Sequence, residues 1–292
     1  MHKGADNMIY LNSIQFPSID EEEMFIQFNI KRTCFDSFYP FRTLSERRLE
    51  FSEPITILYG GNGSGKSTAL NVIAEKIKIK RDSVFNKSSF YPDFLKMCTV
   101  NTGKKIPENS RIITSDDVFD YMLNIRNLNK GIDQKREDIF EEYLNAKYSQ
   151  FQMKTMADYE QLKKINQARS QTQSKFVRSK LMDNVREYSN GESAFNYFTE
   201  KIEENGLFIL DEPENSLSPK LQVELSQFIE NSARFFNCQI IMSTHSPFLL
   251  AMKGAKIYNL DDEWNGVRRW TDLENVRLYH DFFKMLEAEF QS

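Results

Sequence analysis

The stretch YGGNGSGKST, residues 59–68, sets glycines, a lysine and two hydroxyls in a fixed order. Gly60, four residues, then Gly65, Lys66 and Ser67 fit G-x-x-x-x-G-K-[ST] at every position. A loop of this kind (Gly60, Gly61, Asn62, Gly63, Ser64, Gly65, Lys66, Ser67, Thr68) wraps a triphosphate in backbone N–H groups. Lys66 would reach the β- and γ-phosphates, and Ser67 would offer a hydroxyl to Mg²⁺. A second stretch, LFILDEPENSLSPK, delivers Asp211 and Glu212 at the end of an apolar run. Asp211 suits holding Mg²⁺ through its water shell, and Glu212 is placed to polarise an attacking water. A third, QIIMSTHSP, ends on Ser243, Thr244 and His245, where His245 could hydrogen-bond the γ-phosphate. His2 and His280 have no comparable context. The expected catalytic groups are therefore Lys66, Glu212 and His245, and the expected ligands are a nucleoside triphosphate and Mg²⁺.

These groups need strand ends to hold them. ITILY (55–59) is a short β-branched run, and STALNVIAEKI after the loop sets Leu70, Ile73 and Ile77 at helical spacing. LFIL, QIIM and KIYNL are apolar without alternation, as in parallel strands covered on both faces. Ser218 and Pro219 read as N-cap and first residue of a helix whose Leu221, Leu225, Phe228 and Ile229 face the core. The first 60 residues read as strands. In EMFIQFNI, Met24, Ile26, Phe28 and Ile30 alternate with polar residues, which predicts a half-buried antiparallel strand. RRLEFS gives a weaker alternation through Leu49 and Phe51. Residues 117–188 are polar and helical in period, with Ile139, Phe140, Tyr143 and Leu144 on one stripe. The expected fold is α/β: a mostly parallel P-loop core with N-terminal antiparallel strands. It makes one domain over 1–292, interrupted by a helical insertion over 117–188.

Composition narrows the class. The chain is 40% hydrophobic and 27% charged, with a net charge of −4, so it is not a globally basic nucleic-acid binder. No run of 18 apolar residues predicts a membrane span, and the first residues lack a signal-peptide core. Either Met1 or Met8 could be the natural start. Cys34, Cys98 and Cys238 are far apart and form no CxxC. They read as reduced thiols of a cytoplasmic protein, not as zinc ligands.

Taken in order, the P-loop, LDEP and STHS, with a helical insertion between the first two, resemble the ABC-type ATPase domain. The likeness is to its SMC/RecF/OLD-like branch, and closer still to small stand-alone predicted bacterial ATPases. The YPF, GES, DEPE…LSP and LDD…ENVRLYHDFF stretches carry that closer likeness. The resemblance implies a signature loop before the Asp211 strand, where YSNGES stands. Ser189, Asn190, Gly191 and Glu192 would then cap the γ-phosphate of a nucleotide held by the opposite subunit, the helix starting near Glu192. This makes ATP the glue of a homodimer. The chain departs from transporters at Asn190, at Glu192, at Ser218 in place of the D-loop aspartate, and in lacking the Q-loop glutamine. Asp116, or else Ser115, would take that glutamine's contact with Mg²⁺ and water. Tyr39 or Phe41 lies where the family's adenine-stacking aromatic would be; both could equally be core residues.

Three outputs are open. The first is a switch controlling an effector protein, as in antiviral defence or toxin-like modules. The second is a repair-type ATPase acting on DNA or RNA. The third is a transporter motor, against which the signature and Q-loop departures count. Residues 161–186 bear on the second: Lys163, Lys164, Arg169, Lys175, Arg178, Lys180 and Arg186 face only Asp183. That run reads either as a phosphate-binding surface or as a solvated helical face.

Overall fold

A computed structural model describes residues 8–29, 43–85, 87, 90–152, 154–186, 188–262 and 266–291. Met1–Phe119 with Asn190–Ser292 form one compact unit, and Asp120–Ser189 form another.

The strands of the first unit are β1 (Leu11–Gln15), β2 (Arg48–Glu50), β3 (Ile55–Tyr59), β4 (Thr99–Thr102), β5 (Arg111–Thr114), β6 (Leu207–Asp211), β7 (Gln239–Ser243), β8 (Ala255–Asn259) and β9 (Gly266–Arg268). Six make one sheet in the order β5-β6-β7-β3-β8-β9, parallel except for β9. All residues of β3 and β7 are buried, as their unbroken apolar runs require. A smaller antiparallel sheet, β2-β1-β4, packs its Leu11, Ile14 and Leu49 into the core that β3, β6 and β7 share. Gln239 fastens the two sheets. Its buried Oε1 accepts from the Tyr10 and Leu11 N–H groups, and its Nε2 donates to Leu11 O at 2.8 Å.

The helices are α1 (Ile19–Asn29), α2 (Lys66–Ile77), α3 (Tyr91–Met97), α4 (Ser115–Lys147), α5 (Tyr159–Ser170), α6 (Gln173–Arg178), α7 (Asn190–Lys201), α8 (Pro219–Phe235), α9 (Pro247–Leu250), α10 (Glu274–Met285) and α11 (Glu287–Phe290). The strand expected over residues 24–30 is corrected. Met24, Ile26 and Phe28 lie in the helix α1, not on a strand; Phe28 is 81% exposed, and Ile30 falls outside the described residues. The cause is local. Ser18 and Glu21 exchange a capping box, with Ser18 N–H to Glu21 Oε2 at 2.9 Å and Glu21 N–H to Ser18 Oγ at 3.2 Å. Asp20, Glu21 and Glu22 then favour the positive end of the helix dipole.

In the second unit, Tyr143, Ala168 and Phe176 form a small core with Ile139 packed on it; Leu144, expected on that stripe, is exposed. Tyr143 donates to Gln171 O at 3.1 Å. Glu142 meets both Lys164 (3.5 Å) and Lys180 (3.2 Å), and Arg169 donates to Ser149 O. Part of the basic run is thus spent inside this unit. No helix among the described residues is long and apolar enough to cross a membrane.

Candidate nucleotide site

The sheet order brings three strand ends together. β7 lies between β6 and β3, so Ser243 pairs in register with both Asp211 and Leu58. The phosphate loop follows β3, the two acids end β6, and His245 follows β7. All stand at the carboxyl edge, where open α/β sheets bind ligands.

The loop has a cradle's geometry. Gly65 sits at φ +90°, directly before α2, and a Cβ there would lie 2.9 Å from Thr43 Cγ2. Only glycine suits both that backbone and that contact. Lys66 is buried, and its Nζ donates to Gly60 O (2.9 Å) and Gly61 O (3.0 Å), with no ion pair among the described residues. A buried cation held only by carbonyls fits a bound polyanion. Gly61, Asn62 and Gly63 are exposed, and the buried Ser64 Oγ has no partner among the described residues. Thr68 is half-buried on the first turn of α2.

Asp211 Oδ1 accepts from Ser67 Oγ at 3.0 Å and from Ser243 Oγ at 2.6 Å. Burial pushes the Asp211 carboxyl above its usual range, and the two hydroxyls pull it back. A hydroxyl beside a carboxylate is the oxygen set that Mg²⁺ takes in phosphate sites, so Ser67 and Asp211 fit this ion. Asp116 is exposed on the first turn of α4, two residues past Thr114, which pairs with Asp211. It forms no hydrogen bond to Ser67 or Asp211 among the described residues. Its neighbour Asp117 is turned inward and accepts from Thr114 N–H at 2.7 Å.

Glu212 has a strained backbone, at φ +47° and ψ +58°. Its N–H donates to Ser243 Oγ (3.0 Å) and Ser243 O (3.2 Å), and its Oε2 accepts from Asn215 Nδ2 at 3.2 Å. Ser243, the first residue of STHS, therefore holds both acids. His245 Nε2 stands 3.8 Å from Glu212 Oε1 and is buried without a hydrogen-bond partner among the described residues. Burial and the Lys66 cation hold its imidazole below the usual value, while Glu212 and Asp261 oppose them. Three further groups set its position. Glu214 Oε1 accepts the His245 N–H at 2.6 Å, Asn275 Nδ2 donates to His245 O at 2.7 Å, and the Tyr59 ring lies edge-on at 6.1 Å. Asp261 Oδ2 accepts the Gly61 N–H at 2.7 Å. Glu214, Asn275 and Asp261 could not be picked out beforehand, since their partners lie 30 to 200 residues away.

Helix α7 begins at Asn190, two residues before the expected start. Asn190 and Glu192 are exposed on its first turn, and the exposed Ser189 directly precedes it. A Cβ on Gly191 would lie 3.0 Å from Leu221 Cδ1 and 3.3 Å from Ser216 O, so glycine lets α7 approach the turn after β6. Tyr39 and Phe41 lie outside the described residues, as does Cys34. Cys98 and Cys238 are free and buried, their thiols pushed up to about 12 and about 11 by burial. No cluster of three or more His, Cys, Asp and Glu residues that could hold a metal ion by themselves occurs among the described residues.

The family described as "ABC transporter" matches residues 50–215. That described as "AAA domain, putative AbiEii toxin, Type IV TA system" matches residues 184–251. No curated protein matches the chain. Similar solved structures include the cassette MJ0796 as a post-hydrolysis dimer bound to ADP and Pi. It is 16% identical, covers 78% of this chain and 89% of its own, and gives a TM-score of 0.34. The same protein described as a dimeric bacterial ABC transporter cassette gives 16%, 78%, 89% and 0.37. A nucleotide-free cassette from an ABC transporter gives 13%, 74%, 81% and 0.37.

Proposed function

The chain belongs to the ABC transporter family, the ABC-type ATPases, and from that premise we propose that it is an Mg²⁺-dependent ATPase switch. The observation that carries this reading is the meeting of Lys66, Ser67, Asp211, Glu212 and His245 at one sheet edge. Gly60 to Thr68 hold the triphosphate, with Lys66 as the cation facing the phosphates. Ser67 and Asp211 hold Mg²⁺, which supplies charge neutralisation between the phosphates; Asp116 is the further candidate ligand. Glu212 orients and polarises the attacking water. His245, neutral in its buried setting, offers Nε2 to the γ-phosphate.

Ser189, Asn190, Gly191 and Glu192 complete the site of a second copy, so ATP joins two chains and hydrolysis releases them. The difference in binding free energy between the two states is what can act on a partner. An effector protein in a defence or toxin-like module is the output this reading favours. The match of residues 184–251 to a toxin–antitoxin AAA family supports it, as does the engagement of Lys164 and Lys180 by Glu142, which lowers the charge available for phosphates. The SMC/RecF/OLD affinity, the single-domain organisation with its insertion and the cytoplasmic location belong to the same proposal.

Glu212→Gln tests it. The amide keeps the shape and cannot polarise water, so ATP with Mg²⁺ should trap a dimer with slow turnover. Light scattering reads the mass and phosphate release reads the rate. Wild-type turnover in this variant would remove Glu212 from its role.

A further inference from the structure

A cavity of about 640 Å³ opens beside His245, between the turn after β6, the start of α9 and the face of α10. Its wall is aromatic: Phe248, Trp270, Tyr279 and Phe283 all line it and stay substantially exposed. Two polar atoms of its lining residues, Glu214 Oε2 and His245 Nε2, are buried without a hydrogen-bond partner among the described residues. Among the described residues no lysine or arginine lines it; of its two histidines, His280 is engaged by Asp281 through Nδ1 at 2.9 Å, and His245 holds its proton less readily than usual because of burial and Lys66. Aromatic side chains around a carboxylate with one buried oxygen lacking a partner make an environment that favours a cation.

We propose that this cavity receives an arginine side chain carried by a partner polypeptide, its guanidinium on Glu214 and its flat faces against the aromatic wall. Arginine fits better than lysine because a guanidinium is planar, weakly hydrated and stacks on rings. The volume lies within the range of roughly 300–1,000 Å³ typical of ligand sites, which leaves room for residues flanking the arginine. A polypeptide fits better than a small molecule because the apolar surface does not end at the cavity. Leu278 and Met285 on the same helix, α10, are also exposed, and exposed apolar surface of this extent marks protein contacts. Burial above all, with the Glu212 carboxylate adding to it, pushes the Glu214 carboxyl upward against the hydrogen bonds it accepts from the His245 N–H and the Thr244 hydroxyl; a guanidinium would favour its charged form.

The second oxygen of Glu214 holds the His245 N–H at 2.6 Å. Occupancy of the cavity therefore acts on the residue assigned to the γ-phosphate. That coupling rests on the ATPase reading; the binding itself does not.

The test uses the full chain without nucleotide, titrated calorimetrically with acetyl-Leu-Arg-Leu-amide and with the same peptide carrying citrulline, the neutral isostere. The arginine peptide should bind about ten-fold tighter or more, the usual scale for a hydrogen bond to a charged group. Glu214→Gln should bring the two peptides to within about two-fold of each other. Tyr279→Ala, at a half-exposed position that threatens the fold little, should weaken both. Equal affinities in the wild type, an undiminished preference in Glu214→Gln, or no binding of either peptide would each overturn the proposal. Since no ATP is present, an inactive ATPase would leave this result untouched, and failure here would leave the ATPase reading standing.

Discussion

Glu212 combines a proposed chemical role with a backbone that L-residues avoid, and the two can be separated by substitution. At φ +47° and ψ +58° its Cβ crowds the neighbouring backbone, at a cost of about 1–2 kcal/mol that glycine does not bear. Glycine loses about 0.5–1 kcal/mol through its freer unfolded chain. Glu212→Gly should therefore be more stable than Glu212→Ala by about 1 kcal/mol, the difference between those two effects. The other local bonds do not distort the comparison. The N–H bonds to Ser243 survive in both variants, and the Asn215 bond is exposed and lost in both. In a helix or strand the same exchange would have the opposite sign, which makes the direction diagnostic. Urea unfolding followed by circular dichroism gives the midpoints, and a scan should separate the melting temperatures by about 2–4 °C in a chain of this size. Neither variant should turn over ATP. If Glu212→Ala proves the more stable, the strained turn is not a property of the folded protein in solution, and the placement of the carboxylate loses its basis.

Lys66→Ala removes the buried cation held by Gly60 O and Gly61 O, so calorimetry should show tight ATP binding abolished; retained micromolar affinity would refute the phosphate loop. Ser189→Arg should leave ATP binding by the single chain intact while blocking ATP-dependent dimerisation. Mixed with Lys66→Ala, it should recover part of the turnover, because one composite site then carries both lesions and the other neither. No recovery would count against a shared site whose halves work independently. For His245, burial and Lys66 lower its affinity for protons. The unfolded chain thus takes up a proton as the pH falls through about 6.5 while the folded chain does so only at lower pH, and wild-type stability declines over that interval. His245→Gln should lose less stability between about pH 7.5 and about pH 5.5; equal losses in urea midpoints would place the imidazole in water.

The candidate site of this chain is legible wherever one contiguous segment encodes both the element and the group it presents. ITILY followed by GGNGSGKST yields a buried strand, a glycine turn and a helix whatever lies around it, because backbone sterics and the helix N-terminus act within ten residues. LFILD and QIIMS are strands for the same reason, and their ends carry Asp211 and the residues before His245. Residues 24–28 went the other way. Alternation favoured a strand, but the capping box of Ser18 with Glu21, just upstream, nucleates a helix. Only the tertiary structure decided which groups govern the proposed catalytic ones. Ser243 bridges Asp211 and Glu212 because β7 inserts between β6 and β3, an order that no local pattern specifies. Glu214, Asn275 and Asp261 hold His245 and Gly61 across gaps of 30 to 200 residues. The contacts of Glu214 and Asn275 with His245 exist because burying the apolar strands removes water from that part of the sheet edge, whereas the Asp261–Gly61 bond is exposed. Polar groups stranded there must then find partners from distant segments of the chain.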